Sequence, residues 1–325
     1  MNSRERFRET MAYGAPDRVP YFHEGMHREV IKAWRRQGLP SKADLYDLFS
    51  LDYREEIDPD LEPHFRLGKW PNSGKDLDRM RRALNPKERG RLPRRWNRLV
   101  QQWRVRDHAL MLRVHRGFFI SMGVHEWKRF KEVIKLTLKD PDFVREAMRI
   151  QGEFATSIAE RALREVTFDA AVFVEPIAGN HGPLISPGMY EDLVLKSYEP
   201  LLKVLKRKGV ETIIFLTFAN PRLFIPSVLK RGFNCLWACE ANVRSVDYRE
   251  LRREFGRELR LIGGIDLDVL RLDKEAIKRE VHEKVPPLLA DGGFIPLADG
   301  RIRKDVPFEN YVYYRELLEE ITQAK

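Results

Sequence analysis

The sequence contains little cysteine and no long hydrophobic run. Its 325 residues include two cysteines, Cys235 and Cys239, which are too few for a disulfide framework and typical of a reducing cytoplasm. No apolar run reaches the length of about 18 residues that a membrane-spanning helix needs. The charged segment after Met1 lacks the apolar stretch of a secretory leader. We therefore expect a cytoplasmic protein without a membrane span.

Acidic residues are scarce in one stretch of an otherwise mixed sequence. The formal net charge is +10, and thirteen Lys and Arg lie between Arg79 and Arg116 against two acids, Glu88 and Asp107. Such a stretch is typical of surfaces that bind nucleic acid, an acidic protein or a carboxylated ligand, and also of a plain solvated surface. No zinc-finger, RRM or helix-turn-helix pattern supports nucleic acid, so we do not expect a nucleic-acid partner.

Short apolar runs alternate with helical patterns and predict a parallel α/β fold. Near-continuous runs such as AAVFV and TIIFL suit strands that helices cover on both faces. Roughly eight such runs favour a (β/α)8 TIM-type barrel with an N-terminal helical extension. We expect one domain over residues 1–325, with 60–116 as a basic excursion. A doubly wound sheet is the alternative, but no G-x-G-x-x-G follows any strand.

The boundaries of these elements follow from glycine, proline and capping residues. The predicted strands are Arg18–Phe22, a weaker one near Leu51–Ile57, Met111–Phe119, Ala170–Ile177, Thr212–Phe218, Cys235–Glu240, Arg260–Asp266 and Phe294–Ala298. The predicted helices are Pro141–Arg164, Pro187–Lys208, Pro221–Arg231, Asp247–Phe255, Lys274–Leu289 and Phe308–Ile321.

In a barrel of this kind the functional side chains lie at the C-terminal ends of the strands. Glu175 and Glu240 each end an apolar strand, where an unpaired acid is costly, so we expect both to be functional. Asp266 is equally suited to a functional part and to capping the next helix. The strand ends supply His23, Glu24, Glu175, Thr217, Phe218, Cys239, Glu240, Asp266, Asp299 and Arg301.

Residues 23–27 read HEGMH and match the H-E-x-x-H pattern of zinc proteases. That pattern needs a helix, because only there do residues i and i+4 reach one ion. The run DRVPYF leads into it in strand-like order, so we expect an extended segment and a helix that begins near Met26. In an extended chain His23 and His27 lie roughly 13 Å apart and cannot chelate one metal. A metalloprotease is not predicted, and His23 and Glu24 remain candidates for substrate contact.

Four segments, in this order, carry a resemblance to a known family: SRERFRETMAYGAPDRVPYF, GPLISPGMYEDLV, LIGGIDLDVL and DGGFIPLADGRIRKDVPFENYVYY. They resemble the uroporphyrinogen decarboxylase superfamily, and especially its corrinoid-linked methyltransferase and demethylase branch. The resemblance covers nearly the whole chain and is weakest between residues 45 and 117. It implies a (β/α)8 barrel with a deep site at the C-terminal face.

The motifs that define activity in this superfamily are altered here. An arginine-rich RQAGRY follows the first strand in true uroporphyrinogen decarboxylases, and this chain reads HEGMHREV there. Thiol-directed methyltransferases of the family hold zinc with a His-x-Cys pair after the fifth strand, where this chain has Leu216 and Phe218. Of the D-x-D-G-N typical of demethylases only Asn220 is kept. The resemblance therefore implies no zinc at the His-x-Cys place and no tightly bound cofactor.

Three hypotheses of function follow. The first is a methyltransferase-like or demethylase-like enzyme on a small organic substrate, with Glu175, Glu240 and Asp299 as catalytic acids, because the leaving atom must be protonated or metal-bound. A separate acidic corrinoid protein would accept the methyl group. The second is a decarboxylase or lyase on a carboxylated substrate, and the third is a barrel that binds ligand without catalysis. The expected substrate contacts are His23, Glu24, His181, Leu216, Phe218, Asn220, Cys239, Asp266 and Arg301.

Overall fold

The computed structural model describes residues 1–65, 70–240 and 246–323. Parallel strands alternate with helices in a TIM-like α/β fold, as the sequence predicted. Within the described ranges every helix is too short or too polar to cross a membrane. The strands are β1 (Arg54–Ile57), β2 (Ala109–His115), β3 (Ala170–Glu175), β4 (Ala178–Gly179), β5 (Gly182–Pro183), β6 (Thr212–Phe218), β7 (Cys235–Cys239), β8 (Arg260–Ile265) and β9 (Phe294–Ala298).

The helices fall mainly between successive strands, as a parallel sheet requires. A π-helical turn over Glu191–Leu195 joins two of them. They are α1 (Ser3–Met11), α2 (Arg28–Arg35), α3 (Leu45–Leu48), α4 (Leu77–Ala83), α5 (Trp96–Arg104), α6 (Gly117–Ser121), α7 (Trp127–Lys139), α8 (Pro141–Leu163), α9 (Pro187–Tyr190), α10 (Lys196–Arg207), α11 (Ile225–Arg231), α12 (Tyr248–Phe255), α13 (Lys274–Asp291) and α14 (Phe308–Gln323).

The chain divides into two compact units. The first unit comprises Met1–Arg54, Asp107–Ala109 and Cys235–Lys325, and its strands β7, β8 and β9 are adjacent in that order. The second unit comprises Glu55–Arg106 and Leu110–Asn234, with β1, β2, β3 and β6 adjacent and β4 and β5 forming an antiparallel hairpin. The single-domain organisation expected from the sequence stays a prediction.

The predicted strand at Arg18–Phe22 is wrong, and the weaker candidate forms β1 instead. Pro20 has no N–H for a strand ladder, and the Tyr21 N–H donates to the Asp52 carboxylate at 2.8 Å. The Asp52 N–H in turn donates to the Tyr21 carbonyl at 2.9 Å. This segment is therefore held by the carboxylate and the backbone N–H of Asp52 rather than by a neighbouring strand.

Apolar side chains fill the interior of the second unit around β3. Residues 170–173 of β3 and most of β6 are buried, as expected for strands with helices on both faces. The long helix α8 buries Phe143, Ala147 and Phe154 against this core. Asp140 caps α8 by accepting from the Phe143 N–H at 3.1 Å, directly before a proline at the first turn.

Several arginines of the basic stretch are structural. Arg91 is fully buried and donates to the carbonyls of Glu62 and Ala83, and Arg106 forms a buried ion pair with Asp169 at 2.9 Å. Arg81, Arg113 and Arg116 pair with Glu146, Glu56 and Glu62 in that order. The remaining exposed cations are Arg82, Lys87, Arg89, Arg94, Arg95, Arg98 and Arg104.

Candidate active site

Two acids at the C-terminal strand ends of the first unit lie side by side. Glu240 follows β7 directly and is exposed, and Asp299 follows β9 and is nearly buried. The Glu240 N–H donates to the Asp299 carbonyl, and the Asp299 N–H donates to the Ile265 carbonyl at 2.9 Å. The side chain of Glu240 lies beside Gly300, where an added Cβ would be 3.6 Å from its Cγ. The strand ends thus fix a carboxylate that faces solvent.

The backbone of Glu240 is left-handed, with a φ of 49°. This conformation is unfavourable for a residue with a Cβ, by about 1–2 kcal/mol, and such strain is concentrated at functional sites. The hydrogen bond to the Asp299 carbonyl holds the strained turn in place. The neighbouring Asp299 carboxylate accepts from the Leu267 N–H at 3.1 Å, which fixes its orientation.

Asp266 caps the turn that follows β8. Its carboxylate accepts from the Asp268 N–H at 2.9 Å, and its own N–H donates to Glu280 at 2.8 Å. Burial raises its pKa above the usual value. The sequence left two roles open for Asp266, a functional one and capping. The contacts support capping, and a contact with substrate stays a prediction.

The two cysteines differ in environment. Cys235 is buried inside β7, and burial raises its pKa to about 12, so it is an inert core residue. Cys239 is partly exposed at the end of β7, next to Glu240. Its part in substrate binding stays a prediction.

The HEGMH segment is not helical. Gly25 has a φ of 85°, His27 is extended, and the helix α2 begins at Arg28, two residues after the expected start. The His23 Nδ1 accepts from the Gly25 N–H at 2.8 Å, which places the ring proton on Nε2. Burial lowers the pKa of His23, so the ring is neutral near pH 7.

This segment runs beside the end of β9. The Ile302 N–H donates to the Gly25 carbonyl at 3.0 Å, and Met26 forms an isolated parallel bridge with Ile302. The Arg301 stem lies near Gly25, where an added Cβ would be 3.6 Å from its Cγ. Arg301 is exposed, and in the part of the chain that the structure describes we find no acceptor for its guanidinium. It is therefore available to an anion.

Glu24 faces away from solvent. Its carboxylate accepts from the Tyr311 hydroxyl at 2.7 Å and from the Tyr314 hydroxyl at 3.0 Å, and it lies 3.5 Å from the Arg315 guanidinium. Burial raises the pKa of both tyrosines well above the usual value, so their hydroxyls remain donors. These contacts support an anchor between the segment around Gly25 and α14. The contacts of Glu24 do not support a contact with substrate, which stays a prediction.

In the second unit Glu175 is fully buried at the end of β3. One carboxylate oxygen accepts from the Phe118 N–H at 2.7 Å, and the other accepts from the hydroxyls of Tyr198 at 2.6 Å and Tyr190 at 3.1 Å. Burial raises the pKa of Glu175 to about 7, against the opposing effect of these donors. We find no exposed oxygen on Glu175, so its contacts support a positioning role rather than direct catalysis.

The chain makes room for this carboxylate at Gly117. That residue has a φ of 78°, and an added Cβ would lie 2.5 Å from the Val174 carbonyl and 2.6 Å from a Glu175 oxygen. The Gly117 N–H donates to the His115 Nδ1 at 2.9 Å, and burial lowers the pKa of His115 to about 3. The predicted strand Met111–Phe119 ends early here because the turn before α6 serves Glu175.

The pH dependence of stability should report the buried Glu175. Between its ordinary pKa of 4.5 and about 7 the folded chain keeps a proton that the unfolded chain loses. The free energy of unfolding should therefore fall as pH rises through this window, by up to about 3 kcal/mol. His115 acts with the opposite sign, since its lowered pKa costs stability as pH falls below 6.5. Glu175→Gln should remove the first effect alone.

The measurement is urea unfolding of wild type and Glu175→Gln at about pH 5 and about pH 8. Subtracting the free energy of unfolding of Glu175→Gln from that of the wild type at each pH cancels the contribution of His115. This difference should be smaller at about pH 8 than at about pH 5. Glu211→Gln, at an exposed carboxylate of the same unit, should follow the wild type. A pH-independent difference between wild type and Glu175→Gln would mean that Glu175 is ionised throughout.

The other predicted contacts of the second unit are spread over β6 and the β4–β5 hairpin. Leu216 is buried, Phe218 and Asn220 are partly exposed, and the Asn220 side chain accepts from the Arg222 N–H at 3.2 Å. His181 is exposed at the hairpin turn. Their contact with substrate stays a prediction.

The residues at the family's His-x-Cys place do not fit zinc. Leu216 and Phe218 have no lone pair to donate, and Thr217 between them is fully buried. Over the described ranges no group of three His, Cys, Asp or Glu is arranged to hold a metal. The expectation of no zinc at this place stays a prediction, and we derive no step through a metal.

Sequence reasoning missed the tyrosines and the arginine that hold the two buried acids. They lie at Tyr190, Tyr198, Tyr311, Tyr314 and Arg315, far along the chain from one of the acids or on separate helices. The available signal was tyrosine on otherwise apolar helix faces, because a buried hydroxyl needs a partner.

Comparison with known proteins agrees with the fold. A curated relative, uroporphyrinogen decarboxylase of Legionella pneumophila (strain Corby), is 24% identical over 196 residues, 59% of this chain and 52% of the relative. The chain thus matches about half of that relative's length. The structural match to a solved methyltransferase from Methanosarcina mazei covers 98% of this chain and 99% of that protein's chain. Its TM-score is 0.63 at 15% sequence identity, which shows the fold. The family model described as uroporphyrinogen decarboxylase (URO-D) matches residues 121–316, and the chain belongs to this family.

Proposed function

We propose that the protein is a methyltransferase-like or demethylase-like enzyme that acts on a small organic substrate. The observation that supports this is the exposed carboxylate of Glu240, held on a left-handed turn by the Asp299 carbonyl at the ends of parallel strands. Membership of a family of decarboxylases makes an enzyme the coarse expectation. The departures from the RQAGRY segment favour methyl transfer over decarboxylation.

Glu240 has the chemistry that cleavage of an ether or amine needs. In its protonated form it donates the proton to the leaving oxygen or nitrogen, which departs as a neutral alcohol or amine, and Glu240 is left as the carboxylate. A corrinoid on a separate acidic protein, when bound, would supply the nucleophile that takes the methyl group. Asp299 fixes the turn through its carbonyl, and its carboxylate accepts from the Leu267 N–H.

The second candidate is a decarboxylase or lyase, and Arg301 favours it. Its exposed guanidinium has no acceptor that we find in the described part of the chain, and it lies beside Gly25 and close in sequence to Asp299. A guanidinium in that place is suited to a substrate carboxylate. An acid would then protonate the carbanion left after loss of CO2.

The test is a direct comparison of the two reactions on the purified full chain. Methoxylated aromatics and N-methylated amines are offered with free cob(I)alamin, and methylcobalamin is followed by absorbance. In parallel, CO2 release is measured from uroporphyrinogen and from aromatic carboxylates. We expect methylcobalamin with at least one methylated substrate. CO2 release without methyl transfer would establish the second candidate, and ligand binding by calorimetry without either product would indicate a non-catalytic barrel.

A further inference from the structure

Helix α7 exposes a row of large apolar side chains. Trp127 is 69% exposed and Leu138 is 70% exposed, while Phe130 and Ile134 are partly exposed. Their spacing of three, four and four residues places all four on one face of the helix. The Trp127 ring stacks on Phe130 with centroids 5.1 Å apart, so the row is continuous at its N-terminal end.

A different face holds α7 on the second unit. Arg129, Val133 and Thr137 are the buried residues of this helix. The Arg129 guanidinium donates to the Met122 carbonyl and to the Pro71 carbonyl, both at 2.9 Å. Within the apolar row Phe130 also packs on Phe119 of α6, with ring centroids 5.1 Å apart. The exposure of Trp127 and Leu138 is a surface feature that folding alone does not explain.

A row of lysines runs next to the apolar row. Lys128, Lys131, Lys135 and Lys139 are exposed, and their spacing places them on the adjoining face. Over the described ranges we find no carboxylate paired with any of the four. Glu132, the acid within the helix, lies 3.3 Å from Arg129. The surface of α7 thus combines a Trp-containing apolar row with an uncompensated row of positive charge.

We propose that α7 docks the protein on an anionic lipid surface. A helix with lysines on one face and Trp, Phe and Leu on the next is typical of segments that lie at a membrane interface, with the apolar row in the headgroup boundary. The lysines would contact the lipid phosphates, whose attraction acts within a Debye length. This places the enzyme at a membrane surface without a spanning segment.

Two other occupants fit the surface less well. Protein interfaces favour Arg and are depleted in Lys, and all the uncompensated cations of α7 are lysines. A second copy of the chain would place this lysine row against an identical one in a two-fold contact, and like charges oppose such an interface. The charge and the choice of cation therefore favour lipid phosphates.

The experiment is co-sedimentation of the full chain with lipid vesicles at low ionic strength. Vesicles of equal parts phosphatidylglycerol and phosphatidylcholine are compared with vesicles of phosphatidylcholine alone. We expect binding to the anionic vesicles only, and release as salt is raised. Lys131→Gln with Lys135→Gln should weaken binding about 30-fold, and Trp127→Ala should weaken it about tenfold.

Lys203→Gln with Lys206→Gln, at two exposed lysines of α10, is the matched control and should bind as the wild type does. All variants change exposed residues, so thermal unfolding should be unaltered and confirm that they fold. The proposal is overturned if the wild type does not bind anionic vesicles, or if Trp127→Ala binds them as well as the wild type does. It is also overturned if the control variant loses as much vesicle binding as the variant with Lys131→Gln and Lys135→Gln. Light scattering that shows a dimer which Trp127→Ala dissociates would assign the row to a second copy instead.

Discussion

Replacing Glu240 with Gln should lower turnover at least about 100-fold, in whichever of the two assays the wild type is active. Gln keeps the shape of the side chain and removes its transferable proton. Because Glu240 is exposed, the free energy of unfolding should stay within about 0.5 kcal/mol of the wild type. The backbone hydrogen bond to the Asp299 carbonyl does not depend on the side chain and should persist. Turnover and urea unfolding are measured on the same preparation.

Glu258→Gln is the matched control for this prediction. Glu258 is also an exposed glutamate of the first unit, but it precedes β8 and therefore lies toward the opposite ends of the parallel strands. Its substitution should leave turnover unchanged. If Glu240→Gln instead unfolds the chain while activity per folded molecule persists, Glu240 has a structural part and the proposed site is wrong.

The later strands and helices of the fold could be predicted from local patterns. The strands from Thr212 onward match within one residue, because each is a short apolar run bounded by polar or turn residues. The helix expected at Pro141–Arg164 ends one residue early, at Leu163. Here local preference and tertiary packing agree, which is why pattern reasoning succeeds.

The N-terminal part could not be predicted in the same way. The strand-like order of Arg18–Phe22 predicted a strand, but hydrogen bonds of this segment go to Asp52, some thirty residues later. The helix α7 was missed because its exposed face carries Trp127 and Leu138 as well as lysines, which obscures the usual amphipathic pattern. The first failure comes from a partner that a local window does not contain, and the second from apolar side chains that the fold leaves on the surface.

The sequence identified Glu175 and Glu240 as candidate functional acids but did not distinguish their roles. Glu175 and Glu240 look alike, since each ends an apolar strand. Glu175 is buried because Tyr190 and Tyr198 supply hydroxyls from helices 15 and 23 residues away, whereas Glu240 stays exposed. Only the fold brings those donors to one carboxylate, so the distinction between a positioning acid and an accessible one depends on the structure.

Replacing Glu24 with Ala should lower the free energy of unfolding by about 3–5 kcal/mol. The Arg315 side chain is 3% exposed and lies 3.5 Å from the Glu24 carboxylate, so the substitution leaves a buried positive charge without its partner. It also leaves the hydroxyls of Tyr311 and Tyr314 without their acceptor. Urea unfolding measures the change, and Glu29→Ala, at an exposed glutamate of α2, should alter stability by less than about 0.5 kcal/mol.

The double variant Glu24→Ala with Arg315→Met separates loss of the pair from loss of packing. Removing both charges should restore part of the stability, since the unpaired guanidinium is then gone and Met fills part of its volume. A change of less than about 1 kcal/mol in the single variant would show that Glu24 does not anchor α14. In that case the Glu24 carboxylate would again be a candidate substrate contact. The position of Gly25 beside Arg301 would then not depend on Glu24.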